Sequence, residues 1–449
     1  MNTFTSMKYI LGFVLVLVSF LQVFAQDTLK PKELPFKISE IKKLDAEELL
    51  DKKEGTFVTG VPDFSVDPLN GFGYGIEGSL IFNGKKSNPF FEYTPYDKKI
   101  DMVLFNTSRQ QREFILTYDQ PYLFHSKWRL RGEIGYEKNP NLLYFGLDKS
   151  SLQTLSQLSA KDGIPSNNAS DNYTTYENAL GANANFNTYT KEEYIFNVSG
   201  EYALLDSRMR ILAGFEVAKL NITTNQSEPS RIRLDALNNQ MLGVGKSLVT
   251  FLQLGIVYDT RDFEPDPNRG VFAEITEEYG SHAIGSDYNM HKLFGQVKLY
   301  KRILPNTFKK VVWANRAGMG YTFGSSPFFE YQDEWSSEGS IEGLGGANTL
   351  RGYKQSRFLD RGMYFVNSEL RVRLFERMIA KQNVGFGLVP FLDAGSVFNT
   401  VDDLTAKGSL RYSYGMGARI IWNQSTILRF DLAHSKEDQQ FFFTFDHAF

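Results

Sequence analysis

GMYFVNSELRVRLF, Gly362 to Phe375, alternates with a period of two. Tyr364, Val366, Leu370, Val372 and Leu374 fall on one face, and Asn367, Glu369, Arg371 and Arg373 fall on the other. Successive side chains of a β-strand point to opposite sides, so one face of this strand suits lipid and the other suits water. The next run agrees. Val384, Phe386, Leu388, Leu392 and Phe398 share a face, opposite Asp393 with Gly385, Gly387 and Gly395.

Working outward, the same signal divides the chain after Thr56 into sixteen strands punctuated by Gly, Asn, Asp and Pro. Their spans are 56–66, 71–82, 98–106, 111–120, 127–137, 191–204, 209–221, 247–259, 269–281, 287–301, 309–323, 361–374, 383–398, 409–421, 425–433 and 439–449. The longest connections, 138–190, 222–246 and 324–360, all fall on one end, and the short ones 205–208, 302–308 and 422–424 fall on the other. Outer-membrane barrels have that asymmetry, with long extracellular loops and short periplasmic turns. The connection 83–97 is too long for its periplasmic end. In the last strand Phe441, Phe443, Phe445 and Phe449 take alternate positions, which reads as a lipid-facing closing strand and an assembly signal.

Composition fits a wall of strands. Aromatics make up 14% of the chain, with 38 Phe and 23 Tyr, and there is no Cys. The formal charge of −3 gives no electrostatic reason for a nucleic-acid partner. At the N-terminus Lys8 precedes an apolar run from Ile10 to Phe24 that ends in Ala25, so residues 1–25 read as a signal peptide cleaved after Ala25. The alternative, a membrane anchor, would want a charge cluster directly behind the run. Beyond it no stretch of about 20 apolar residues could cross a ~30 Å bilayer as a helix, so a membrane-spanning mature chain must be a barrel. Residues 26–55 are charged and too few for a core. They read as a periplasmic tether or plug, or as a disordered leader. Residues 56–449 are then the barrel.

The motifs now carry a resemblance. The sequence resembles the BamA/TamA superfamily, the bacterial surface antigen family, through GGANTLRGY at Gly345 to Tyr353 and YDTRDFEPDPNRG at Tyr258 to Gly270. NSEL at Asn367 to Leu370, FLDAGSVF at Phe391 to Phe398 and the terminal Phe449 complete it. The resemblance implies an all-β, 16-stranded antiparallel transmembrane barrel whose long sixth extracellular loop folds into the lumen. It implies that Arg351, in the motif with Gly352 and Tyr353, is held by Glu369 and Asp393. A guanidinium fork can satisfy two carboxylates at once. Residues 26–55 are too short for one of the family's periplasmic POTRA repeats, so the resemblance is to the subgroup without them.

Other signals are weaker. Asp259, Arg261 and Asp262 cluster in a periplasmic turn, as a turn-stabilising network or a partner site. Pro62 in the first strand removes a ladder donor, which suits an edge strand at a seam that opens to lipid, or simply a short strand. MLGVGKS, Met241 to Ser247, lacks the first glycine of a phosphate loop. The five His show no ligand spacing and no Gly-x-Ser-x-Gly elbow occurs, so no catalytic residue, metal or cofactor is expected. The functional expectation is translocation or insertion of protein or lipid at the outer membrane; the alternative is a structural or interaction subunit of an envelope complex. Expected partners are outer-membrane lipids and lipopolysaccharide, with periplasmic or envelope proteins or a second copy of the chain.

Overall fold

The computed structural model describes residues 33–449, apart from 68–69, 162–169, 181–184, 225–229, 239–240, 305–307, 380–381, 407 and 423–425. The signal-peptide reading therefore lies outside the described residues. The strands in chain order are β1 (Gly55–Asp67), β2 (Gly71–Gly84), β3 (Lys98–Thr107), β4 (Arg112–Gln120), β5 (Trp128–Leu143), β6 (Thr188–Leu204), β7 (Met209–Thr223), β8 (Gly245–Asp259) and β9 (Gly270–Gly280). They continue as β10 (Met290–Arg302), β11 (Lys310–Gly324), the two-residue β12 (Asp333–Glu334) and β13 (Ile341–Glu342), then β14 (Gly362–Ile379), β15 (Gln382–Phe398), β16 (Arg411–Trp422), β17 (Thr426–Ser435) and β18 (Gln439–Phe445).

Sixteen of them form one antiparallel meander in which each strand pairs with its neighbours in sequence; β12 and β13 pair separately inside the sixth loop, 325–361. Alternation sets the two faces. Gln253 is 1% exposed and the next residue, Leu254, is 59% exposed, so polar groups line the inside and apolar ones the outside. The two end strands, β1 and β18, share no ladder among the described residues. Thr59 Oγ1 on β1 is 2.9 Å from Thr426 Oγ1 at the start of β17, the strand that pairs with β18.

Two expectations change. The long connection 85–97 does lie at the short-turn end. It is a series of tight turns whose carbonyls accept from residues 44 and 52, so its length serves a contact with the N-terminal segment. The last strand stops at Phe445, four residues before the sequence reading ended it. Asp446 turns with φ 60°, and its amide donates to Ile427 O at 2.8 Å. Phe449 is thereby carried inward, packing with Tyr300, Val312 and Ala314. The expectation that Phe449 faces lipid is overturned: Arg316 and Arg371 stand over its ring at 5.1 and 5.0 Å, and Arg371 Nη2 donates to Phe449 O at 2.7 Å. Cation–π attraction and a charge-assisted bond replace lipid contact.

Candidate functional site: the anchor of the sixth loop

The side chain of Arg351 is 1% exposed and reaches the inward faces of three strands. Its Nε and Nη2 donate to Asp393 Oδ2 and Oδ1, each at 2.8 Å, as a two-pronged fork. Nη1 donates to Glu369 Oε1 at 2.7 Å and to Asp431 Oδ2 at 3.0 Å. The Arg351 amide adds a bond to Asp393 Oδ2 at 3.2 Å, and the guanidinium lies 3.5 Å from the centre of the Phe391 ring. All three carboxylates are fully buried.

Such a cluster survives burial only if its charges balance and its lone pairs are filled. Arg371 Nε donates to Glu369 Oε2 at 2.9 Å and Arg419 Nη1 to Asp431 Oδ1 at 2.6 Å. Asn367 Nδ2 joins Asp393 Oδ1, at 2.8 Å, to the loop through Thr349 O, at 2.7 Å. The neighbours in the motif have separate tasks. Gly352 has φ 94°, and a Cβ there would meet His434 C at 2.9 Å, so glycine lets the loop press on β17. Tyr353 is buried and packs edge-on against Phe358 at 5.1 Å.

The sequence reading paired Arg351 with two acids; Asp431 is a third. Its face was legible, since Arg429 and Asp431 alternate with Leu428, Phe430 and Leu432, but nothing local tied it to a loop 80 residues away. Arg357 was missed altogether. It forks onto Glu437 at 2.7 and 2.9 Å and donates to Ser151 O at 2.7 Å and Gln153 O at 2.8 Å, tying the sixth loop to two other loops.

The other sequence-singled residues divide. Arg261 Nε and Nη2 reach Asp259 at 3.0 and 3.1 Å, and Nη2 also reaches Glu338 of the sixth loop at 2.5 Å. Asp262 stands apart from that chain: its Oδ1 accepts from the amides of Phe263 at 3.0 Å and Asn268 at 2.9 Å, shaping the turn. Pro62 lies on β1 opposite Ile76 and is exposed, on a strand whose other edge carries no ladder among the described residues. Phe441 is 66% exposed, Phe443 stacks on Phe430 at 4.8 Å, and Phe445 ends the ladder opposite Leu428.

A sixteen-strand meander with this loop arrangement can be compared with known proteins. Residues 101–449 match the Omp85 superfamily domain. The chain belongs to the Omp85 superfamily. It is thus an outer-membrane β-barrel protein. Residues 34–97 match a second family, a domain of unknown function, DUF5982. Among solved structures, BamA from Haemophilus ducreyi lacking POTRA domains 1–3 is similar at 16% identity with a TM-score of 0.50, over 88% of this chain and 70% of that one. CdiB from Acinetobacter baumannii (11% identity, TM-score 0.49, 88% of this chain and 60% of that) and CdiB from Escherichia coli (11%, 0.49, 88% and 62%) are also similar. No curated protein matches the chain. The Omp85 match begins at β3, and the DUF5982 match holds the N-terminal segment, β1, β2 and the connection 85–97.

Proposed function

We propose that this Omp85 protein moves or inserts a polypeptide or lipid at the outer membrane, along the seam between β1 and β18. The observation that carries this reading is that β1 and β18 share no ladder among the described residues while Thr59 on β1 touches Thr426 at the start of β17, beside a sixth loop anchored on the inner wall by Arg351. A loop held by buried ion pairs obstructs an axial route, whereas an edge strand with Pro62 costs few hydrogen bonds to part. On this reading the chain is exported behind a leader cleaved after Ala25, the lipid and lipopolysaccharide of the outer membrane border the seam, and periplasmic proteins or a second copy deliver or share the cargo. The chain then carries out no covalent chemistry of its own.

The test uses the absence of Cys from the sequence. A Thr59→Cys, Thr426→Cys pair, at positions whose side-chain oxygens are 2.9 Å apart, locks β1 to the start of β17 on oxidation. Cells depending on the locked protein are expected to lose outer-membrane protein or lipid content and to recover it with reductant. Unchanged outer-membrane composition after depletion of the protein overturns the proposal. A second reading, a structural subunit of an envelope complex, is favoured by the tie from Arg357 across three loops, which makes a rigid outer surface. Co-purification of a stoichiometric set of envelope proteins in mild detergent would select it.

A further inference from the structure

The segment ahead of β1 crosses the barrel end that carries the short turns, and it is fastened at three of its connections. Ser39 N donates to Asp206 O, in the connection 205–208, at 2.8 Å. Lys42, 6% exposed, sets its Nζ 3.0 Å from Asp259 Oδ2 and 3.5 Å from Arg261 O, at the mouth of 260–269. The short helix Ala46–Asp51 follows, closed by a capping box in which Glu48 N donates to Asp45 Oδ1 at 2.9 Å and Asp45 N to Glu48 Oε2 at 3.1 Å. Glu48 Oε1 accepts from Asn268 Nδ2 at 2.9 Å. Lys52, 5% exposed, donates to Phe91 O at 2.7 Å and Thr94 O at 2.6 Å, and Leu44 N donates to Glu92 O at 2.8 Å. Only then does the chain reach Gly55, with φ 107° and open space around it, and enter β1.

We propose that residues 34–54 are a periplasmic lid on the lumen, hinged at Gly55 and latched by Lys42 on Asp259 and by Lys52 on the carbonyls of the connection 85–97. This assigns a task to the DUF5982 stretch, whose span of 34–97 takes in the lid, its hinge, the first hairpin and the connection that clasps it. Packing alone does not require two ammonium groups to be buried at a mouth. A buried lysine is retained only where partners hold it, and it gives up its place more readily than an arginine fork. The latch also meets the sixth loop. Asp259 holds Lys42 and Arg261, and Arg261 holds Glu338, so lid and loop share one chain of charges across the lumen. Burial lowers the affinity of Lys42 for its proton, opposed by Asp259 and Glu264 and reinforced by Arg210 and Arg261.

The inference depends on which end faces the periplasm, and not on what the barrel moves, so its test reads access alone. Thr117 on β4 faces inward, with its hydroxyl 3.4 Å from Asp101 Oδ2. Thr117→Cys gives the chain a single thiol, and a membrane-impermeant maleimide is applied to either face of the outer membrane. With the lid latched, labelling from the periplasmic face is expected to be slow. Adding Lys42→Met and Lys52→Met is expected to accelerate it by at least roughly ten-fold, with labelling from the outer face unchanged. A protease site inserted between Lys53 and Glu54 allows the lid to be cut off after the barrel has folded, for the case in which the lysine variants do not fold. Labelling that stays slow once the lid is removed overturns the proposal, as does fast labelling of the latched protein or acceleration from both faces.

Discussion

The sixth loop and the N-terminal lid are both held to the barrel by buried cations, but the cations differ in kind. Arg351 presents a planar fork to three carboxylates and stays charged at any pH a cell meets. Lys42 and Lys52 present single ammonium groups, to one carboxylate and to carbonyl oxygens. The difference teaches how one barrel can carry a permanent fastening and a releasable one. The fork fixes position through geometry, whereas burial lowers the proton affinity of both ammonium groups, so their hold changes with pH.

The strongest way to break this comparison is to remove the fork. Arg351→Ala takes the guanidinium fork from Asp393 and one cation each from Glu369 and Asp431, all with 0% side-chain exposure, and is expected to cost on the order of 3–5 kcal/mol. Thermal unfolding in detergent should show a lower Tm, and the sixth loop should become open to protease. Arg351→Lys sharpens the point: it keeps the charge and loses the two-pronged bond, so a loss of about 1.5–3 kcal/mol is expected. Full stability in that variant would show that charge alone suffices. Arg357→Ala should act more locally, loosening the contact of the sixth loop with Ser151, Gln153 and Glu437. Faster hydrogen exchange around Leu155–Lys161 with little change in Tm is the expected result.

The smallest effect is the pH response of the lid. Burial, with Asp262 and Asp45 nearby, pushes the Glu48 carboxyl from 4.5 up to about 7, partly offset by its bond from the Asp45 amide and by Lys310. Burial pushes the Lys52 ammonium from 10.5 down to about 7, opposed by Asp97. A docked Glu48 binds its proton more tightly than a free one, so docking weakens as pH rises from 4.5 to about 7. A docked Lys52 binds its proton less tightly, so docking weakens as pH falls from 10.5 to about 7. Lid docking is therefore expected to be weakest near pH 7, read by the fluorescence of a probe on Ser39→Cys. Glu48→Gln should flatten the acid side, and Lys52→Met should reduce the alkaline side, where Lys42 acts in the same direction. A profile with no minimum would remove the contrast between the two fastenings.

Much of the wall was legible in the sequence. Gly362 to Phe375 announces its two faces through alternation alone, and the β14 side chains follow it as far as Arg373, with Arg371 and Arg373 inside and Val366 49% exposed outside; a register shift then turns Phe375, 48% exposed, outward onto Phe386. The connection 85–97 was misjudged because loop length was read as a property of its end, when its carbonyls serve Leu44 and Lys52. Phe449 was misplaced because a period of two was carried past Asp446, where a left-handed turn breaks it.

The sequence by itself determined the period, the strand count and the inward side of most of β14 and of β15, because a pleated chain sorts lipid-facing from water-facing residues one position at a time. Only the tertiary structure decided that Asp431 joins Glu369 and Asp393 around Arg351, that Arg357 closes on Glu437, and that Lys42 reaches Asp259 across 217 positions. Those contacts form because segments outside the sheet, the sixth loop and the chain ahead of β1, lie against side chains that neighbouring strands or other loops present together. The residue spacing that brings them together belongs to the packing of loops on the sheet and not to any local stretch of chain.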